Sequence, residues 1–246
     1  MSGIDRVLRF DLDVPAECAF RKAGAVNGWP TYPIPPLTTI RGMIHNAMAR
    51  PSMLNQYGRK ATLDKDIRDH EQEFRTRFEE ETMIGIEVLS PGIPATHFRK
   101  YHKRTTTSTD ETYGPGIATV DVLVEPKFRV YVGATDGNEG LLDATHEALA
   151  DPARPLYLGR SDDLVVINEV EIVGADVVDE PGELDCVVPG ATDETDQIEL
   201  LPVRAETISR TGRSGSTRAV SIDGGSVDQF YRTDAGERFV FVDERR

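Results

Sequence analysis

The stretch RVLRFDLDV at residues 6–14 alternates apolar and polar side chains, which predicts a β-strand. The segment that follows at residues 24–36, GAVNGWPTYPIPP, contains too much glycine and proline for regular structure and predicts a shaped loop. A helix is then predicted in TTIRGMIHNAMAR, residues 38–50, with Thr38 or Thr39 as its N-cap. The chain therefore opens with a strand, a loop and a helix.

The same patterns predict the elements beyond this opening. They are a helix at about 62–80, a strand at 82–90, a projecting hairpin at about 91–117, a return strand at 117–132, a helix at 138–150, a strand at 163–173 and a terminal hairpin within 230–242. This order is the βαββαβ arrangement of the ferredoxin-like, or RRM-like, fold in the α+β class. We expect one such domain over residues 1–172, its hairpin projecting as a thumb. An acidic, solvated loop at 173–199 and a smaller β-rich region then complete residues 173–246.

Acidic residues dominate the charge of the chain. The net charge is −14, and the 28 basic residues are mostly arginine. Such a composition suits molar salt, where screening acts within about 3 Å and an acidic surface keeps a protein in solution. We expect a halophilic archaeal source, and an ordinary acidic mesophilic protein is the alternative.

Two basic segments interrupt this acidic background. Residues 97–104, HFRKYHKR, carry four arginine and lysine residues and no acid, and residues 204–218 carry four arginines against one glutamate. Residues 173–199, by contrast, hold nine acids and no arginine or lysine. Basic segments of this kind predict contact surfaces for nucleic acid or for an acidic partner.

Several function classes find no support in the sequence. Cys18 and Cys186 lie far apart without a CxxC spacing, so we expect no zinc site and no disulfide framework, and a reducing cytoplasm is the simpler location. The GxSxG, HExxH, GxGxxG and Walker A patterns are absent from the chain. We therefore expect no metal or cofactor. The chain also shows no signal-peptide core and no apolar stretch of about 20 residues, so we expect no membrane association.

Two longer stretches resemble a known family. Residues 10–48 contain Ala19, Phe20 and Arg21 within AECAFRK at 16–22, then TYPIPPLT at 31–38 and Gly42 within the first helix. Residues 154–165 read RPLYLGRSDDLV. These motifs, in this order, resemble CRISPR-associated protein family five. We expect Gly42 to permit a close backbone approach, and Gly159 to make a turn beside packing residues at 156–158.

The resemblance implies a subunit of a type I CRISPR surveillance complex, often called Cascade. Such a subunit has a ferredoxin-like fold with a β-hairpin thumb, holds the 5′ handle of the crRNA, and contacts the backbone subunits and the large subunit. Target DNA is reached only indirectly. The composition would suit a haloarchaeal type I-B system.

The candidate RNA contacts combine cations with aromatic rings, which bind phosphates and stack on bases. They are Phe20, Arg21, Lys22, Trp29, Tyr32, Arg41, His45, Arg99, Lys100, Tyr101, Lys103, Arg104, Arg210 and Arg213. Each has a simpler interpretation. The 97–104 segment could be a solvated hairpin that faces an acidic partner, and residues 209–218 could be a flexible loop. Trp29 and Tyr32 could cap the core. Arg41 and His45 could lie on a solvated helix face.

A metal-independent endoribonuclease that processes precursor crRNA is an alternative function. One subtype of the family cleaves RNA with Tyr, Lys and His, and the residues available here are His97, Tyr101, His102 and Lys103. Neighbours on an extended strand alternate faces, however, so these four would not converge. We therefore expect a non-catalytic protein. A structural adaptor that contacts protein only is the other alternative.

Overall fold

The computed structural model describes residues 4–22, 28–50, 65–106, 111–135, 137–160, 162–190, 197–209 and 212–243. At residues 65, 67–68, 101–106, 111–115, 205–209 and 212–214 it describes the backbone alone.

Strands outnumber helices in these residues. The helices are α1 (Leu37–Ala47), α2 (Lys65–Glu81) and α3 (Glu139–Ala150). The strands are β1 (Arg6–Asp13), β2 (Glu17–Cys18), β3 (Gly28–Trp29), β4 (Thr82–Ser90), β5 (Ile93–Thr106), β6 (Glu111–Val124), β7 (Lys127–Ala134), β8 (Val166–Val178), β9 (Gly182–Leu184), β10 (Val188–Pro189), β11 (Ile198–Ser209), β12 (Gly212–Ser221), β13 (Gly225–Val227), β14 (Phe230–Thr233) and β15 (Arg238–Phe239).

A six-stranded sheet forms the body of the protein. Its strand order is β15-β14-β8-β1-β7-β4, and every neighbouring pair is antiparallel. The alternation in β1 decides which side faces the core, because Leu8, Phe10 and Leu12 are fully buried with residues of α1 and α3. The polar residues between them face the other way. The predicted mixture of helices and strands and the predicted first strand are therefore confirmed.

The C-terminal residues return to the outer edge of β4. The Val242 amide donates to the carbonyl of Ile84 at 2.8 Å, and the Val187 amide donates to the carbonyl of Ile86 at 2.9 Å. This edge of the sheet is therefore covered by chain from beyond residue 178. The predicted domain boundary at Ile172 falls inside β8, whose last residues pair with β14.

Two long hairpins extend from this body. Strands β5 and β6 pair from Ile93↔Val124 to Thr106↔Glu111 without a register shift. Strands β11 and β12 pair with two irregularities, and β10 pairs with β12. The hairpin predicted at about 91–117 is present and is longer than expected.

Most predicted elements are found with small changes at their ends. The predicted strand at 82–90, the helix at 138–150 and the terminal hairpin correspond to β4, α3 and the β14–β15 pair. The second helix is α2, although residues 62–64 of the prediction lie outside the described residues. The first helix begins one residue early, after Pro36, and neither Thr38 nor Thr39 caps it.

Three predictions about local structure are wrong. A Cβ at Gly42 would meet nothing within 4 Å, so this glycine permits no close approach. The acidic tract is not a solvated loop, because it includes the end of β8, all of β9 and β10, and buried apolar residues from Leu184 to Val188. Acidic residues in this tract alternate with core residues, and a count of charges alone does not show this alternation. The flexible-loop alternative for the segment at 209–218 is wrong as well, because residues 212–218 lie within β12.

Candidate nucleic-acid interface

The carboxylate of Glu17 contacts two arginines and one histidine where the β5–β6 hairpin leaves the body. Its Oε2 lies 2.7 Å from His97 Nε2, and its Oε1 lies 3.0 Å from Arg99 Nη2 and 3.3 Å from Arg160 Nη2. Burial opposes ionisation of this carboxyl, but the Arg160 hydrogen bond and the charges of His97 and Arg160 outweigh it and lower the pKa of Glu17. We call these four residues the hairpin latch.

A tight turn at 159–163 holds the latch in place. Arg160 Nε donates to Asp163 Oδ1 at 2.8 Å, and Asp163 Oδ2 accepts from the Ala19 amide at 2.9 Å. Gly159 has a φ of +103°, and a Cβ there would lie 2.7 Å from the Ala19 carbonyl oxygen. The motif at 154–165 therefore has a structural role, because its turn holds the backbone at Ala19. Leu156 and Leu158 are buried and Gly159 makes a turn, as predicted, whereas the roles of Arg160 and Asp163 were missed.

The loop that was predicted to pinch a base is closed by an antiparallel pair of short segments. The Tyr32 amide donates to the Phe20 carbonyl at 2.8 Å, and the Lys22 amide donates to the Pro30 carbonyl at 2.8 Å. The Arg21 guanidinium lies over the ring of Trp29 at 4.6 Å, and the Lys22 ammonium lies over Tyr32 at 5.2 Å. This arrangement places two cation–π pairs side by side.

Not all of these side chains reach the surface. Phe20 is 2% exposed and belongs to the main core, although it was predicted as an RNA contact. Tyr32 is buried as well, as its simpler interpretation proposed. Lys22 Nζ lies 2.6 Å from Glu199 Oε1, and Glu199 was not among the predicted site residues. Arg21 is exposed and Trp29 is half-buried.

The side of the β5–β6 hairpin away from the latch carries an exposed apolar pair. Phe98 is 80% exposed and Ile117 is 72% exposed. Lys100, also exposed, pairs directly with Ile117 across the two strands, and Phe98 pairs with Thr119. Residues directly opposite each other in an antiparallel pair share a face, so the ring, the ammonium and Ile117 form one row. We call Phe98, Lys100 and Ile117 the outer row.

The structure separates the basic segment into two groups. Arg99 and His97 belong to the latch, where they bind Glu17. Tyr101, His102, Lys103 and Arg104 continue β5 toward the hairpin tip, opposite Gly116, Pro115, Gly114 and Tyr113, and their side chains lie outside the described residues. The predicted nuclease grouping is therefore described only at His97. Arg210 lies outside the described residues, and Arg213 is described only by its backbone in β12.

Arg41 and His45 are not on a solvated helix face. They are 1% and 3% exposed, because Arg41 binds Asp243 and the Val203 carbonyl and the His45 ring packs on aromatic rings of α2. Burial, followed by the charges of Arg75, Arg41 and Arg50, lowers the pKa of His45 to about 3. The solvated alternative is therefore wrong for this pair, and both predicted RNA contacts lie beneath the surface.

No group of three or more metal-ligating side chains occurs among the residues that the structure describes. Within the same residues, no helix is long and apolar enough to cross a membrane.

The comparisons with known proteins agree with this geometry. Residues 8–224 match the model of the family described as "CRISPR-associated protein (Cas_Cas5)". The chain belongs to this family. The family match includes the latch, the turn at 159–163 and both hairpins. Among curated proteins, none matches this chain in sequence.

Solved structures of CRISPR proteins share the fold of this family member. One chain, described as "CRISPR RNA-guided surveillance complex", superposes with a TM-score of 0.52 at 15% identity, over 96% of this chain and 93% of the other. "Crystal structure of a CRISPR protein from Archaeoglobus fulgidus" gives a TM-score of 0.49 at 16% identity, over 97% and 100% of the two chains. At these identities the likeness concerns the fold.

Proposed function

We propose that this chain is a non-catalytic, crRNA-binding subunit of a CRISPR effector complex, in which it holds the 5′ handle of the crRNA. The observation that carries the proposal is the long β5–β6 hairpin with its basic strand and its exposed outer row. A chain with a net charge of −14 places four arginine and lysine residues, without an acid, within the 97–104 segment of this hairpin. Family membership supports the same function.

The charge distribution favours RNA over an acidic protein partner. Phosphate binding requires cations, and unstacked bases require flat or apolar side chains next to them. The outer row provides an exposed ring beside an exposed ammonium. The Arg21–Trp29 pair provides a second such combination near the hairpin base. An acidic protein surface would need the cations alone.

The proposed complex is of type I, and the partners are its backbone subunits and its large subunit, with target DNA reached through the crRNA. The surveillance-complex chain of similar fold supports membership in such an assembly. A haloarchaeal type I-B system in the cytoplasm remains our expectation from the acidic composition.

We also propose that the centre of the sheet is a ferredoxin-like unit. The strand order β8-β1-β7-β4 is antiparallel throughout. α1 lies in the connection from β1 to β4, and α3 lies in the connection from β7 to β8. This is the connectivity expected of βαββαβ.

Co-purification tests the proposal directly. The tagged full chain is isolated from its own cells in concentrated KCl, and the bound RNA and proteins are identified. We expect small RNAs that share one 5′ sequence, together with several CRISPR subunits. The double variant Lys100→Ala with Lys103→Ala should recover less RNA, whereas the matched control Lys127→Ala, at an ion pair on the sheet, should not.

Three results would contradict the proposal. Recovery of partner subunits without RNA would indicate a protein-only adaptor. Cleavage of precursor crRNA by the purified chain, abolished by His97→Ala, would indicate an endoribonuclease. Recovery of neither RNA nor CRISPR subunits would remove the assignment altogether.

A further inference from the structure

The hairpin has two faces, and only one of them is available to RNA. We infer that the outer row of Phe98, Lys100 and Ile117 is the RNA-contacting face, with the Phe98 ring stacking on an unpaired base and the Lys100 ammonium contacting a phosphate. This inference rests on the proposed function. To the proposed function it adds the face of the hairpin that binds RNA and the chemical group of the RNA that each side chain contacts. It also names the other surfaces that do not bind RNA.

The opposite face of the hairpin is already occupied by the protein itself. Ala118, Val120 and Val122 on β6 are 2%, 1% and 0% exposed. Val120 and Val122 pack with Ala19, Trp29 and Ala95 in a small core beneath the hairpin. His97 and Arg99 on this side hold Glu17. A base cannot reach this face without breaking the latch.

The sheet face opposite the helices is also unsuitable. Arg9 binds Glu237 at 2.7 Å and Glu171 at 2.9 Å, and Arg129 binds Asp11 at 2.7 Å and Glu237 at 2.8 Å. Glu169 adds a further acid to this network. Carboxylates therefore surround both guanidinium groups, and a phosphate would meet net negative charge. RRM domains bind RNA on this side of their sheet, so the face used here would differ.

The outer row differs from both surfaces in exposure and in chemistry. Phe98 is 80% exposed, the highest value for a large apolar side chain among the described residues. An exposed ring buries no apolar surface in the isolated chain and so adds nothing to its stability. The ring is therefore available to contact a ligand. A ring, an aliphatic side chain and an ammonium in one row match the alternation of base and phosphate along a single strand.

Fluorescence of a modified RNA separates stacking from charge. The probe is a short single-stranded RNA that carries one 2-aminopurine, a base whose fluorescence falls when it stacks. The full chain is titrated into this RNA at several KCl concentrations. We expect Phe98→Ala to weaken binding about tenfold and to abolish the quenching, with no change in salt dependence. Phe98→Tyr should retain both. Lys100→Ala should lower the slope of log affinity against log salt by about 0.7.

Leu200→Ala is the matched control, because Leu200 is an exposed apolar residue (61%) on the other hairpin and its removal should change nothing. Wild-type protein that neither binds nor quenches the RNA would contradict the proposed function itself. Wild-type binding that Phe98→Ala leaves unchanged would overturn only the assignment of the face. Unchanged RNA binding with loss of a co-purifying subunit would show that the outer row binds protein instead.

Discussion

Arg41 and Asp243 form an ion pair in the protein interior, and both side chains are 1% exposed. Arg41 lies in α1, and Asp243 lies at the end of the described chain. Arg41 Nη1 also donates to the Val203 carbonyl at 2.7 Å, and Asp243 Oδ1 accepts from the Ile84 amide at 2.8 Å. One pair therefore connects the first helix, the second hairpin and the outer edge of β4.

Removing one partner of this pair should be strongly destabilising. Arg41→Met leaves the Asp243 carboxylate buried without its counter-charge, at an expected cost of about 3–5 kcal/mol in the free energy of unfolding. Adding Asp243→Asn should recover part of that cost, because the neutral amide oxygen still accepts from Ile84. Urea denaturation at constant salt measures the wild type, the two single variants and the double variant. Simple additivity of the two single effects would show that the residues are not coupled.

Gly159 should tolerate no side chain. Gly159→Ala places a Cβ 2.7 Å from the Ala19 carbonyl oxygen. The matched control is Gly137→Ala, because Gly137 also has a positive φ (+82°) but its Cβ would meet nothing within 4 Å. We expect about 1–2 kcal/mol of destabilisation for the control and about 1–3 kcal/mol more for Gly159. Thermal melts compare the two, and equal losses would exclude the close contact as a cause.

Gly42→Ala should stabilise the protein. Gly42 is exposed inside α1, and an added Cβ would meet no neighbour within 4 Å. Alanine is favoured over glycine in a helix interior by about 1 kcal/mol, so the free energy of unfolding should rise by up to that amount. Gly85→Ala serves as the opposite case, since its Cβ would lie 2.8 Å from the Val240 carbonyl oxygen. A loss of stability in Gly42→Ala would mean that this position has a contact partner after all.

The hairpin latch should open in acid. The pKa of Glu17 is lowered in the folded protein, so its contribution to stability is present above the ordinary carboxyl pKa and is lost as the pH falls through the folded value. The protection of the β5 amides near His97 and Arg99 against hydrogen exchange, relative to their intrinsic rates at each pH, should therefore fall below about pH 4. Glu17→Gln should show faster exchange already at neutral pH. Unchanged exchange in this variant would indicate that the latch does not restrain the hairpin.

His45 should make the fold sensitive to mild acid. Its pKa is lowered to about 3 in the folded protein, and the unfolded chain binds the proton near pH 6.5. The free energy of unfolding therefore falls as the pH drops below about 6.5, by up to about 1.4 kcal/mol per pH unit. His45→Leu should flatten the dependence between pH 6.5 and 5, where carboxyl groups contribute little. The exposed control His70→Gln should keep the wild-type slope, and an equal slope in His45→Leu would contradict the assignment.

Periodicity and turn chemistry were sufficient for the main elements. Neighbours in sequence produce the alternation in residues 6–14, the apolar stripe of α1 and the turn formed by glycine and proline near 91–94. The elements and the hairpin could therefore be predicted from local sequence. The motifs at 10–48 and 154–165 indicated the family, which the match over residues 8–224 confirms. What the motifs do could not be predicted, because Gly159 and Asp163 act on Ala19, which is distant in sequence.

The sequence by itself determined most strands and helices up to residue 172, the terminal hairpin, the acidic character of the chain and the position of its basic segment, because all of these depend on residue type and spacing. Only the tertiary structure decided which polar residues are buried and which apolar residues are exposed. Arg41 is enclosed because Asp243 and Val203 arrive from the far end of the chain, and Phe98 is exposed because the hairpin projects beyond the core. The burial of Arg41 and the exposure of Phe98 depend on long-range packing, which the periodicity of one element does not specify.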